Sequence, residues 1–222
     1  MPRLGLFCGT FNPIHNGHLL IAECAADQFK LDTVIFVTSP VPPHRQKGLL
    51  PADLRYELVE AAVADNSRFE ASRLELDRSG PSYTVDTVLS VKQRCGDDPV
   101  YLVIGGDNLN SIHDWHKSDL LIANCHFLVA PRLVYRTVMV TNAGDKTDSA
   151  FLETVVEEEV AQKYQLPGAQ VSIIDFPAVS ISSSIVRARL SAGKSVLYMV
   201  PKPVHDILLR SGYASAEVQS NG

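Results

Sequence analysis

Apolar positions along this chain fall into short dense blocks separated by longer amphipathic stretches. Residues 4–8, 34–38, 100–104 and 127–130 are nearly unbroken apolar runs of strand length. Such runs suit strands buried on both faces of a sheet. Between them the period changes. Over residues 17–29, Leu20, Ile21, Cys24 and Ala25 recur at helical spacing and predict a helix with one apolar face. A helix capped by Asp53 and running to about residue 64 places Leu54, Leu58, Ala61 and Ala62 on its inner side. Weaker strand signals lie at residues 68–71 and 171–175, and further helices are expected over 84–94, 182–191 and 202–210, with a short helical stretch over 108–115. Residues 149–164 read as a helix on the spacing of Phe151, Leu152, Val155, Val156 and Val160, while 131–147 shows no clear period. Strands alternating with helices predict an α/β fold with a doubly wound, Rossmann-like parallel sheet. No repeat or linker interrupts the pattern, so residues 1–222 are expected to form a single domain, the helical portion from about residue 182 packing on it.

Composition narrows this picture. With 222 residues, 45% apolar and 20% charged, the chain can bury a sizeable core. A formal net charge of −5 argues against nucleic acid as a partner, since such proteins carry a basic excess. No apolar stretch approaches the ~20 residues of a membrane span, and the first residues lack a signal-peptide pattern. Cys8, Cys24, Cys95 and Cys125 form no CxxC pair, which speaks against a zinc site or disulfide framework and for reduced thiols in a cytoplasmic protein. No carboxylate cluster marks a dedicated metal site, and no pattern assigns an oligomeric state.

The candidate chemistry sits at two places. Gly9-Thr10-Phe11-Asn12-Pro13-Ile14-His15-Asn16-Gly17-His18 follows the first strand run and precedes the first helix. If Asn16 caps that helix, His15 and His18 both face its N-terminus, where free N–H groups and the helix dipole favour a phosphate. Gly17 lets a ligand approach the backbone closely. Near the other end, Ile181-Ser182-Ser183-Ser184-Ile185-Val186-Arg187 offers hydroxyls at a helix start and an arginine one turn on. That set can hold a polyphosphate, although a serine cap with surface arginines explains it equally well. Asp107, after the strand at 100–104 and two glycines, suits a ribose hydroxyl or the cap of the next helix. No GxGxxG follows the first strand, which disfavours a dinucleotide-binding dehydrogenase.

Together the two motifs resemble the nucleotidyltransferases that pair (H/T)xGH with ISSTxxR. His15-Asn16-Gly17-His18 matches the first; Ile181 to Arg187 matches the second, with Ser184 in place of threonine. Within that superfamily the chain is most similar to the bacterial nicotinate-nucleotide adenylyltransferases. Val41-Pro42-Pro43-His44-Arg45 matches their VPPHR loop, Pro81-Ser82-Tyr83-Thr84 their PSYT segment, and Ile104-Gly105-Gly106-Asp107 with Trp115 their IGxD…W arrangement. Cys8 and Asn12 depart from the glycine and aspartate of many relatives. The resemblance implies adenylyl transfer from ATP to nicotinate mononucleotide, with Mg2+ carried mainly on the ATP phosphates. It implies catalytic roles for His15, His18 and Arg187, and ATP contacts from Gly9, Thr10, Phe11, Gly17, Ser182 and Ser183. For the acceptor it implies His44, Arg45, Tyr83, Thr84, Asp107 and Trp115. Nicotinamide mononucleotide and phosphopantetheine are the alternative acceptors. A nucleotide-binding regulatory module without catalysis is disfavoured, because His15, His18 and Arg187 are all present.

Overall fold

The structure, a computed structural model, describes residues 2–40, 48–96, 98–131, 135–140, 149–154, 165–177 and 179–212. In chain order the main elements are β1 (Leu4–Gly9), α1 (Asn16–Phe29), β2 (Thr33–Thr38), α2 (Ala52–Val63), β3 (Phe69–Ser72) and α3 (Thr84–Cys95). They continue with β4 (Val100–Gly105), α4 (Gly106–Leu109), α5 (Ser118–Asn124), β5 (Cys125–Ala130), β6 (Tyr135–Val140), β7 (Ser149–Thr154), β8 (Gln170–Ile173), α6 (Ser183–Ser191) and α7 (Lys202–Arg210). Six strands form one sheet in the order β3-β2-β1-β4-β5-β8, and every pairing in it is parallel.

Alternate residues of the central strands enter different layers. Phe7, Val34, Phe36, Tyr101, Val103 and Leu128 pack on one face with apolar residues of α1, α2, α6 and α7. Leu4, Leu6, Ile35, Val37, Leu102, Ile104, Phe127 and Val129 pack on the other with α3, α4 and α5. Both faces are covered, which explains why the strands read as continuous apolar runs. The doubly wound α/β expectation holds. Among the described residues, no helix is long and apolar enough to cross a membrane.

Three local expectations are corrected and two helix faces are refined. Residues 149–154 are strand β7, not helix, and pair antiparallel with β6 in a separate two-stranded sheet. A short apolar run does not fix its own period, and Tyr135-Arg136-Thr137-Val138-Met139-Val140 supplies a β-branched partner for a ladder. The rest of that expected helix, 155–164, lies outside the described residues. In α1 the fully buried positions are Gly17, Ala22, Ala25 and Ala26; Ile21 and Cys24 of the expected face pack partly buried against the core, while Leu20 lines a groove with Leu19, Ala62 and Phe69. The small residues bring the helix close to the sheet. In α2 the N-cap is Pro51, and Asp53 sits in the first turn, paired with Arg73 at 3.0 Å. The fully buried positions of α2 are Arg55, Leu58, Val59 and Val63, with the expected Leu54, Ala61 and Ala62 partly buried against the same core; apolar spacing does not reveal the buried guanidinium. The cap of α1 is His15 rather than Asn16: its backbone is extended, and its carbonyl accepts from the His18 N–H at 2.9 Å.

Candidate active site

In a doubly wound sheet, ligands bind outside the carboxyl ends of the strands where the strand order reverses. Here that point lies between β1 and β4. A cavity at the point is lined by Cys8, Gly9 and Thr10 from the β1 end, and by Ile104, Gly105 and Asn108 from the β4 end. A second cavity, formed by His15, Gly17, Phe176, Ile181, Ser182 and Ile185 among others, flanks the start of α1.

The opening loop is held open by aromatic packing. Phe11 has φ +44°, a conformation that side-chain-bearing residues rarely adopt, and its ring is buried. That ring meets Phe7 and His18 edge-on at 5.6 and 5.2 Å between centroids. A Cβ at Gly9 would stand 3.0 Å from it, so glycine there makes room for Phe11. Phe11 thus supports His18 from the core. Gly17 has a similar role: a Cβ would lie 3.1 Å from His15 Nδ1. The sequence motif spaces its glycine for the imidazole as well as for a ligand.

The two imidazoles stack, with ring centroids 3.7 Å apart and planes 22° from parallel. Burial lowers the His15 pKa to about 4. Burial, and then the neighbouring His15 charge, hold His18 well below the usual histidine range. Both rings are therefore neutral at pH 7 in the empty protein. His18 Nδ1 accepts the His15 backbone N–H at 3.2 Å, so the neutral ring carries its proton on Nε2 as a donor. Among the described residues, His15 Nδ1 is buried without a hydrogen-bond partner.

The second motif folds onto the first. Ser182 caps α6, its Oγ accepting the Ile185 N–H at 3.2 Å. Ser183 Oγ donates to the Pro13 carbonyl at 2.9 Å, and Arg187 Nη1 donates to the Asn12 carbonyl at 2.7 Å. Residues some 170 positions apart thus form one wall. The Asn12 side chain is buried and used twice, donating to the Gly48 carbonyl and accepting the Leu50 N–H, both at 2.9 Å. A carboxylate in its place could take only the second bond.

On the other side, Tyr83, Thr84, Asn108, Ser111, Trp115 and His116 line a third cavity, and Thr84, Asn108 and Trp115 also line the switch-point cavity. Trp115 Nε1 donates to Ser111 Oγ at 3.3 Å, leaving the ring faces for packing, and Tyr83 stacks on His116 at 4.1 Å. α3 begins at Thr84 with no side-chain cap. Asp107 lies exposed in the first turn of α4 and lines none of these cavities; Asn108 takes that place. His44 and Arg45 lie outside the described residues.

Sequence reading missed Arg55 and Glu75. Arg55 is fully buried and donates to the carbonyls of Leu50, Thr10, Ser39 and Pro40. Four carbonyls from two loops, β1–α1 and β2–α2, converge on one guanidinium. Glu75, also buried, lines the switch-point cavity. Burial raises its pKa, against the hydrogen bond from Thr87 and the charge of Arg78. Both residues sit in charged stretches that read as surface.

Comparison with known proteins bears on this arrangement. The family model described as cytidylyltransferase-like matches residues 6–189, a span holding both motifs. A probable nicotinate-nucleotide adenylyltransferase of Exiguobacterium sibiricum is 36% identical over 207 residues, covering 93% of this chain and 95% of that protein. One from Synechococcus sp. is 38% identical over 204 residues, covering 91% and 89%. The chain belongs to the nicotinate-nucleotide adenylyltransferase family. Its fold is that of the Plasmodium falciparum nicotinic acid mononucleotide adenylyltransferase complexed with NaAD, at TM-score 0.70 and 16% identity over 96% of this chain and 98% of that one.

Proposed function

We propose that this protein transfers AMP from ATP to nicotinate mononucleotide, forming nicotinate adenine dinucleotide and pyrophosphate. The acceptor's 5′-phosphate oxygen attacks the α-phosphorus in line, and the bond from that phosphorus to the bridging oxygen of the β-phosphate breaks. No protein nucleophile takes part. Catalysis then consists of positioning two anions and stabilising charge on the leaving pyrophosphate. The observation that carries this reading is the junction of the two motifs, where Arg187 and Ser183 hold the backbone of Asn12 and Pro13 beside the histidine pair.

On this reading His18 gives its Nε2–H to oxygens of the transferred phosphate, with His15 beside it. Ser182, Ser183 and Arg187 receive the β- and γ-phosphates; Gly9, Thr10 and Gly17 shape the ATP side. Tyr83, Thr84 and Trp115 form the acceptor side, the backbone N–H groups at the start of α3 suiting an acceptor-only carboxylate and Trp115 the pyridine ring. Mg2+ carried mainly on the ATP phosphates would neutralise part of their charge. We place the activity in the cytoplasm, where the four free thiols stay reduced.

Turnover of the acid and amide mononucleotides with ATP, measured side by side, tests the acceptor. Preference for the acid is expected; a strong preference for the amide would remove nicotinate from the reading. Replacing His18→Ala is expected to lower kcat by roughly 10²-fold or more, the scale of losing one transition-state donor, while circular dichroism stays native. Near-normal turnover would remove His18 from the transition state.

A further inference from the structure

The wall of the switch-point cavity holds a carboxyl group that the proposed reaction does not use. Glu75 follows β3, is 4% exposed, and lines that cavity with Cys8, Ser82, Thr84 and Trp115. A buried carboxylate persists where donors surround it. Thr87 Oγ1 donates to Glu75 Oε1 at 2.9 Å, and Ser82 and Cys8 line the same cavity wall beside the carboxyl. Arg78 stands behind the hydroxyls: its Nη1 donates to Ser82 Oγ at 2.8 Å and to Thr87 Oγ1 at 3.1 Å. An oxygen that accepts from a guanidinium keeps its own proton to give elsewhere. Arg78 therefore leaves the Thr87 proton for Glu75 and ties Ser82 into the same cluster.

Ser82 and Thr87 bracket Tyr83 and Thr84, where α3 begins without a side-chain cap. We propose that Glu75 is a positioning residue for the acceptor: through Ser82 and Thr87 it fixes the Tyr83–Thr84 backbone in the orientation that receives the acceptor's pyridine carboxylate. This inference rests on the function proposed above. It also makes Glu75 a determinant of the choice between acid and amide, because a fixed row of N–H donors fits a group that only accepts. A loosened turn can offer a carbonyl to an amide as well.

Charge alone predicts the opposite effect. Removing the Glu75 charge leaves Arg78 unopposed, which should tighten an anionic acceptor. The variant Glu75→Gln separates the two, since it keeps the shape and removes the charge. Its amide nitrogen cannot accept from Thr87 and its neutral group no longer faces Arg78 as an anion, so the charged link is lost. We expect KM for nicotinate mononucleotide to rise about tenfold, the scale of one hydrogen bond to a charged group, with KM for ATP unchanged. The ratio of acid to amide kcat/KM falls with it. Ser82→Ala, at a half-buried position, shows the same split at smaller size and serves if Glu75→Gln does not fold. A KM for ATP that rises in step with the acceptor's, or an acceptor KM that stays or falls, overturns the role of Glu75. Wild-type protein inactive on the acid mononucleotide overturns the proposed function and this inference together; an active wild type with no such split in the variants overturns only the latter.

Discussion

At the scale of single residues, the histidine pair shows how burial sets the charge of two imidazoles. Two neutral rings stacked at 3.7 Å avoid mutual repulsion, and His15 holds a buried nitrogen that lacks a partner among the described residues. Folding holds His15 near pKa 4, against about 6.5 in an unfolded chain. Between those values the unfolded state binds a proton that the folded state does not, so stability falls as pH drops from about 6.5 toward 4. His15 alone accounts for a loss on the order of 3 kcal/mol once the pH is below both values. Polyphosphate reverses the balance, because its negative charge favours imidazolium. ATP binding at pH 5.5 should therefore take up protons, and binding at pH 8.5 should take up almost none. Calorimetry in two buffers of different ionisation enthalpy reads this directly. A buffer-independent enthalpy at pH 5.5 would remove the phosphates from the imidazoles.

At the scale of elements, α6 has two tasks at its start. Ser182 Oγ satisfies the Ile185 N–H, and Ser183 Oγ ties the helix to the Pro13 carbonyl. Ser182→Ala should cost about 1 kcal/mol in urea unfolding, the usual value of a serine cap. If Ser182 also receives phosphate, KM for ATP rises as well; a stability loss with unchanged KM reduces Ser182 to a cap. The sheet strands were legible because burial on both faces leaves an unbroken apolar run. The helix faces were less so. α2 buries Arg55, whose acceptors come from residues 10, 39, 40 and 50, and no local period encodes partners that distant. The same limit hid β7, whose ladder depends on β6 and not on its own spacing.

At the scale of the whole molecule, the site exists because the chain's far end closes on its beginning. The two motifs were legible as residue types, and the resemblance paired them. The hydrogen bonds joining them were not, since Arg187 meets the Asn12 carbonyl and not a side chain. Nor was Glu75 legible, whose partners Thr87 and Arg78 look like ordinary members of a polar stretch. This closure makes ligand and fold interdependent: phosphates lying between the histidine pair and α6 would clamp the junction from both sides. ATP at 100 times its Kd should stabilise the protein by about 2.7 kcal/mol. In a chain of this size that corresponds to a rise in Tm of roughly 5–10 °C. Arg187→Ala removes a tie to Asn12 and, on the proposed reading, a charged partner of the phosphates. The first effect lowers the Tm of the empty protein; the second lowers the increment that ATP adds. A loss of affinity of about tenfold or more, the scale of one hydrogen bond to a charged group, cuts that increment to half or less at the same ATP concentration. Thermal unfolding with and without ATP separates the two, because a purely structural arginine would lower the starting Tm and leave the ATP increment whole.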